Sequence, residues 1–273
     1  MTITSNTEQI QKDLAFAVRA ARGAGERLLH LRALNRWHGD HLADVADHAA
    51  DGFLQGMVQG AHPSDGLLSE ETKDSPARRA KSRTWIIDPL DGTREYACMR
   101  HDWAVHVALT LDGRCAVAAV ALPAVSKVLS AVCIPGQEQA TLEEGDGTLV
   151  SGETPSPEVP RVAFTRSRTP PWVSAFCEKL GGVPVPFGSV GYKVALLLLG
   201  EADIYVHPRG LKEWDTCAPE TIARALGWSV CDLDGEPHRY NQPDPENHEI
   251  IVCRPAWKER VLAALTSLRT PVG

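Results

Sequence analysis

Apolar residues along the chain keep one rhythm in the first third and another in the middle. Ile10, Leu14, Ala17, Val18, Ala21, Gly25 and Leu28 recur at three- and four-residue steps, which predicts an amphipathic helix ending near Leu34. Ser5-Asn6-Thr7-Glu8 has the order of a capping box, so the helix is expected to open there. A second helix is expected from about Asp44, with Val45, Ala49, Gly52, Phe53, Gly56 and Met57 on its apolar face. Leu67-Leu68 and Trp85-Ile86-Ile87 read as short strands. From Trp103 the period falls to two: Trp103, Val105, Val107 and Leu109 alternate with Ala104, His106 and Ala108. Leu111-Asp112-Gly113-Arg114 supplies a hairpin turn, and 116–122 and 127–134 continue an antiparallel meander.

The stretch 138–160 is rich in Gly, Glu, Ser and Pro and has no apolar period, which marks a boundary. Beyond it, strands expected at 161–165, 183–185, 204–206, 229–232 and 250–253 alternate with helices at 172–180, 192–199, 218–226 and 257–268. The expected organisation is an α+β subdomain over 1–145, a linker over 146–160 and an α/β subdomain over 161–273.

Composition narrows the function classes. The 273 residues are 43% apolar and 23% charged, those of an ordinary globular protein. The net charge is −7 without a basic patch, which argues against a nucleic-acid polymer as partner. No apolar run approaches the ~20 residues of a membrane helix, so no membrane partner is expected. MTITSNTEQIQKD lacks the basic start and apolar stretch of a secretory signal, and seven cysteines stand singly without a C-x-x-C pair. A cytoplasmic protein with reduced thiols is the expectation.

The chemistry concentrates in Trp85 to Tyr96, WIIDPLDGTREY. Pro89 has no N–H to give a ladder, so the strand is expected to end there, leaving Asp88 at its carboxyl end and Asp91 across a tight turn. Gly92 and Thr93 would then open a helix whose free N–H groups face whatever the carboxylates gather. Paired carboxylates beside such a turn suit a hard divalent cation holding a phosphate. A plain turn at Asp91-Gly92 with Asp88 as a helix cap would explain the same letters. Two further stretches bear on the choice: Ser69-Glu70-Glu71-Thr72 upstream and Glu213-Trp214-Asp215-Thr216-Cys217-Ala218 downstream. Gly188-Ser189-Val190-Gly191-Tyr192-Lys193 could pass for a nucleotide loop but lacks both the full G-x-G-x-x-G and the P-loop spacing. His41, Asp44, Asp47 and His48 lie close together at no recognised metal spacing, and neither His101, Asp102 nor His106 has one.

DPLDGT, the upstream Glu pair and the downstream Trp-Asp resemble the lithium-sensitive, magnesium-dependent phosphomonoesterases of the inositol monophosphatase superfamily, in that family's order and spacing. The resemblance implies a layered α-β-α-β-α sandwich with two or three Mg²⁺ between the subdomains. It makes Glu70, Asp88, Asp91 and Asp215 side-chain ligands, with the Leu90 carbonyl a further one. Asp47, Thr93 and Glu71 would orient and deprotonate the attacking water. Asp47 falls at the last position of a family pattern whose Lys, Pro and Thr are absent here. Gly92, Thr93, Arg94, Ser189 and Lys193, with Glu70, Asp91 and Asp215, would contact the substrate. Arg94-Glu95-Tyr96 after the DGT is similar to the bisphosphate nucleotidases of sulfate assimilation, which implies removal of the 3′-phosphate of adenosine 3′,5′-bisphosphate and of its sulfated precursor. Lys193, then Arg94, would meet the uncleaved 5′-phosphate. His207 and Arg209 stand near where many nucleotidases place an Arg. The alternatives are an inositol-1-phosphate or fructose-1,6-bisphosphate phosphatase, an aspartyl-phosphate mechanism as in D-x-D-G-T phosphatases, and a metal-binding regulatory relative without catalysis. A homodimer is left open.

Overall fold

The computed structural model describes residues 3–167 and 169–269. Two long helices, α1 (Ile3–Ala33) and α2 (Gly39–Ala61), precede a six-stranded sheet. Its strands are β1 (Gly66–Ser69), β2 (Arg83–Asp91), β3 (Ala104–Leu111), β4 (Arg114–Leu122), β5 (Lys127–Val132) and β6 (Gln139–Glu144), side by side in chain order. A five-residue helix, α3 (Thr93–Ala97), follows β2. The second half contributes β7 (Arg161–Thr165), α4 (Val173–Leu180), β8 (Val183–Phe187), α5 (Val190–Leu198), β9 (Ile204–Lys212), α6 (Glu213–Ala225), β10 (Ser229–Cys231), β11 (Glu246–Cys253) and α7 (Lys258–Arg269). Its five strands run β10-β11-β9-β7-β8 across a second sheet.

The layering follows from strand alternation. On β2, Trp85 and Ile87 join Phe16, Leu28, Ala46 and Leu54 of α1 and α2 in one core, while Ile86 turns to the other face. On β3, Val105, Val107 and Leu109 face the same outer helices, and Ala104 and Ala108 face inward. The inward core holds Val194 and Leu197 of α5, Cys217 and Ile222 of α6, and Tyr205, Ile250 and Val252 of the second sheet. A third core joins that sheet's far side, through Val162, Ile204 and Ile251, to Phe176 of α4 and Val261 and Leu265 of α7. The order is therefore α1/α2, sheet, α5/α6, sheet, α4/α7, the five layers expected. No described helix is long and apolar enough to cross a membrane.

Several local expectations are corrected. The first helix already runs at Ile3, so Ser5 lies inside it instead of capping it. The second starts at Gly39, and its buried face is Leu42, Ala46, Ala50, Leu54 and Val58 together with Asp47 and Asp51. Val45, Phe53 and Met57 lie on its shoulder, where the Phe53 ring carries the Arg27 guanidinium 3.5 Å above its centroid. Small alanines hold the seam, so the bulkier residues drew the face one step off. The start of the stretch read as irregular after Glu138 forms β6, a half-exposed edge strand with no apolar run to betray it. The helix expected from Ala218 begins at Glu213, which puts Asp215 in its first turn.

Candidate active site

Strand β2 does not end at Pro89. Asp88 pairs with His106 and Asp91 with Ala104, so two residues, Pro89 and Leu90, pass where β3 has only Val105. The missing N–H of proline costs nothing in such a bulge. Its consequence is geometric: Asp88 and Asp91, three apart, would point to opposite faces of a regular strand, and the extra residue turns both inward. There they meet Asp215, and one carboxylate oxygen from each of the three lies within 4.8 Å of the others.

Each carboxylate is held by backbone from a different turn. Asp88 Oδ1 accepts the Leu90 N–H at 3.0 Å, and Asp215 Oδ2 accepts the Lys212 N–H at 2.7 Å where α6 begins. The Asp91 oxygens accept from Val190 N at 3.1 Å and Gly191 N at 2.6 Å, the first amides of α5. Gly92 stands in the left-handed region at φ 92°, where a Cβ would also lie 3.0 Å from Ser189 Cβ. After it, the Thr93 hydroxyl donates to the Leu90 carbonyl at 3.1 Å.

Glu70 follows β1, which runs parallel to β2 and so delivers its carboxyl end to the same place. It sits on the rim with an exposed edge, and Glu71 beside it lies 3.9 Å from His48 Nδ1. Asp47 projects from the buried face of α2 within reach of the Thr93 hydroxyl. The structure thus brings Asp47, Glu70, Glu71, Asp88, Asp91 and Asp215 into one electrostatic cluster, with Leu90, Gly92 and Thr93 in the turn that carries Asp91.

The electrostatics call for a cation. Burial, then the charges of Glu71 and Asp51, pushes Asp47 up to about 8. Partial removal from water at the rim, then Asp215 and Asp47, pushes Glu70 up to about 8, and burial followed by Asp91 pushes Asp215 up to about 7. Asp88 is driven well above the carboxylate range by burial and by Glu70. Asp91 goes the other way, to about 2: burial opposes ionisation, but His106, Lys193 and the Gly191 amide outweigh it. Asp88 Oδ2 and Asp47 Oδ1 are buried with no hydrogen-bond partner. Unpartnered buried oxygens in an all-oxygen donor set fit a hard divalent cation, which would release the bound protons.

Two expected substrate contacts, Ser189 and Lys193, stand elsewhere, and a third, Arg94, lies on the surface. Ser189 is 2% exposed and its Oγ accepts the Tyr192 N–H at 2.8 Å, so the hydroxyl caps α5 instead of facing the carboxylate cluster. Lys193 is 0% exposed; its ammonium donates to the Gly188 carbonyl behind the turn and lies 5.1 Å from the centroid of the Tyr205 ring. An ammonium with no access to solvent cannot meet a second phosphate. Burial pushes it down to about 8. Arg94 is exposed on α3 and does not pair with Glu95, which is buried against Gly188, 4.0 Å from Arg166.

Two residues set aside in the sequence matter here. Asp102 Oδ2 accepts the Gly188 N–H at 2.8 Å and an Arg166 N–H at 2.7 Å, fixing the Gly-Ser turn. His106 is fully buried with Nε2 3.1 Å from Asp91 Oδ2 and Nδ1 3.1 Å from the Trp214 carbonyl. Burial alone would favour the neutral ring, yet Asp91 raises its affinity for a proton. A signal existed: His106 has the parity of Ala104 and Ala108, the inward face.

A family model described as "Inositol monophosphatase family" matches residues 9–270. The 3'-phosphoadenosine 5'-phosphate phosphatase of Mycobacterium leprae (strain TN) is 37% identical over 253 residues, 89% of each chain. The 3'(2'),5'-bisphosphate nucleotidase CysQ of Salmonella typhimurium is 30% identical over 197 residues, 71% of this chain and 76% of that one. Among solved structures, CysQ from Bacteroides thetaiotaomicron, described as a bacterial member of the inositol monophosphatase family, superposes with a TM-score of 0.75 at 24% identity, over 89% of this chain and 98% of its own.

Proposed function

We propose that this chain, which belongs to the inositol monophosphatase family, is a Mg²⁺-dependent phosphatase that removes the 3′-phosphate of adenosine 3′,5′-bisphosphate. The observation that carries the chemistry is the convergence of Asp88, Asp91 and Asp215 with Asp88 Oδ2 left unpartnered. The substrate is supported by the relatives' names and by Arg94-Glu95-Tyr96 after the DGT turn.

Glu70, Asp88, Asp91 and Asp215, with the Leu90 carbonyl, would hold two or three Mg²⁺. Bound there, the ions screen the phosphoryl oxygens and stabilise the leaving alkoxide. The chain's own residues do the rest. Gly92 and Thr93 offer backbone N–H groups to the phosphoryl oxygens where α3 begins. Asp47, a buried carboxyl within reach of the Thr93 hydroxyl, takes the proton of the attacking water. Thr93 stands between Asp47 and Leu90 and orients that water, with Glu71 at the rim. Displacement is in line, without a phosphoenzyme. Arg94 and Arg209, both exposed, are the side chains we assign to the uncleaved 5′-phosphate.

The same proposal places the reaction in the cytoplasm and in sulfate assimilation, expects inhibition by Li⁺, and divides the chain into subdomains at 146–160. Phosphate release from a panel of adenosine 3′,5′-bisphosphate, its sulfated precursor, inositol 1-phosphate and fructose 1,6-bisphosphate, with Mg²⁺, tests it. Preference for inositol or fructose phosphates would overturn the nucleotide assignment, and full activity in chelator would overturn the metal.

A further inference from the structure

The structure assigns to His106 the part of a positioning residue: a strut that sets the spacing between Asp91 and Asp215 and so the strength with which the carboxylate cluster holds a divalent cation. The inference rests on reading that cluster as a metal centre. Its footing is the way one imidazole joins three turns that are remote in sequence. Nδ1 faces the carbonyl of Trp214 at 3.1 Å, and since a carbonyl only accepts, Nδ1 is the donor. Trp214 immediately precedes Asp215, so this bond pins the turn that carries the third carboxylate. Nε2 packs against Asp91 Oδ2 at 3.1 Å without completing a hydrogen bond, while Nδ1 is 3.8 Å from Asp88 Oδ2. Asp91 belongs to the end of β2, Trp214 to the start of α6, and His106 to β3 between them. The third turn is the Gly-Ser turn: a Cβ on Gly191 would lie 2.1 Å from His106 Nε2, and the Gly191 N–H donates to the same Asp91 oxygen. The ring is 0% exposed. Side chains that orient a metal ligand from behind typically govern affinity by ~10- to 100-fold.

The test uses Mn²⁺ as probe, followed by electron paramagnetic resonance of the free ion, so the readout does not depend on turnover. His106→Asn keeps a donor near the Nδ1 position and loses the Asp91 arm. His106→Gln keeps a donor near Nε2 and loses the Trp214 arm. His106→Ala loses both. All three are expected to weaken Mn²⁺ binding by about tenfold or more, with near-ultraviolet circular dichroism unchanged. A residue that only fills space would alter unfolding temperature and leave the Mn²⁺ affinity of the folded protein where it was. Should the Ala variant not fold, the Asn and Gln variants, which keep bulk and a donor, still decide. Affinity within about twofold of wild type in His106→Asn would overturn the strut, and full recovery in His106→Gln would overturn its bridging character. Wild-type protein that binds no Mn²⁺ would instead remove the metal centre on which the inference rests, so the two failures are told apart.

Discussion

Stripped of divalent cations, the protein should lose stability as pH rises from about 5 to about 8, and Mg²⁺ should restore most at the alkaline end. Asp47 and Glu70 are each pushed up to about 8 and Asp215 to about 7, against ordinary values of 3.8 to 4.5. Between those limits the unfolded chain has released protons that the folded chain retains. The folded state binds more protons, so its stability falls at each step up in pH. His106 and His238, raised by their carboxylate partners, act with the same sign. The groups of opposite sign work outside the window. Asp91, held down to about 2, contributes a term lost only as pH falls through the acid range, and Lys193, pushed down to about 8, matters above that value. For Asp47 alone, the step from 3.8 to about 8 corresponds to on the order of 6 kcal/mol at ~1.4 kcal/mol per pH unit. The carboxyls share one cluster and lose protons together, so the contributions do not add, and a net loss of a few kcal/mol is expected. For a chain of this length that is roughly 5–10 °C in Tm. Thermal unfolding of chelator-treated, desalted protein across the window, with and without Mg²⁺, measures both quantities. A metal-free Tm that climbs with pH, or a Mg²⁺ increment independent of pH, would refute the reasoning.

Three other outcomes are expected. Asp88→Asn should lose most of the phosphatase rate while raising the metal-free Tm, because a buried carboxyl repelled by Glu70 and Asp91 is removed; unchanged turnover would take Asp88 out of the site. Lys193→Met should cost about 1–3 kcal/mol of stability through the lost bond to the Gly188 carbonyl, and should slow adenosine 3′,5′-bisphosphate and inositol 1-phosphate alike. A loss confined to the bisphosphate would return Lys193 to the second phosphate, whereas Arg94→Ala is the variant expected to show that selectivity. Gly92→Ala should cost about 1–2 kcal/mol for the left-handed backbone plus the clash with Ser189, read as a fall in Tm together with activity; a neutral substitution would show the turn to be free to move.

What could be read from the sequence was what local chemistry dictates, and what could not was what the second sheet and the bulge decide. Asp88, Asp91, Gly92 and Thr93 announced themselves because four functional letters fall within six positions. The same reasoning ended the strand at Pro89, since a proline cannot serve a ladder. It did not foresee that skipping Pro89 and Leu90 lets pairing resume at Asp91 and thereby turns both carboxylates to one face. Lys193 shows the converse error. A lysine four residues after a Gly-Ser turn looked like a phosphate ligand, but four residues is one helical turn, and on α5 both faces are covered because the helix lies between two sheets. Depth in a five-layer fold is not written in the spacing of one segment. His106 was passed over because metal-ligand spacing was sought along the chain, while the relevant spacing runs across it: paired with Asp88 through the ladder, it shares the inward parity of Ala104 and Ala108. An isolated polar residue of inward parity in an otherwise apolar strand must find partners or stay out of the core. That rule, applied to β3 with β2 laid antiparallel beside it, picks out His106 and leads to the carboxylates it serves.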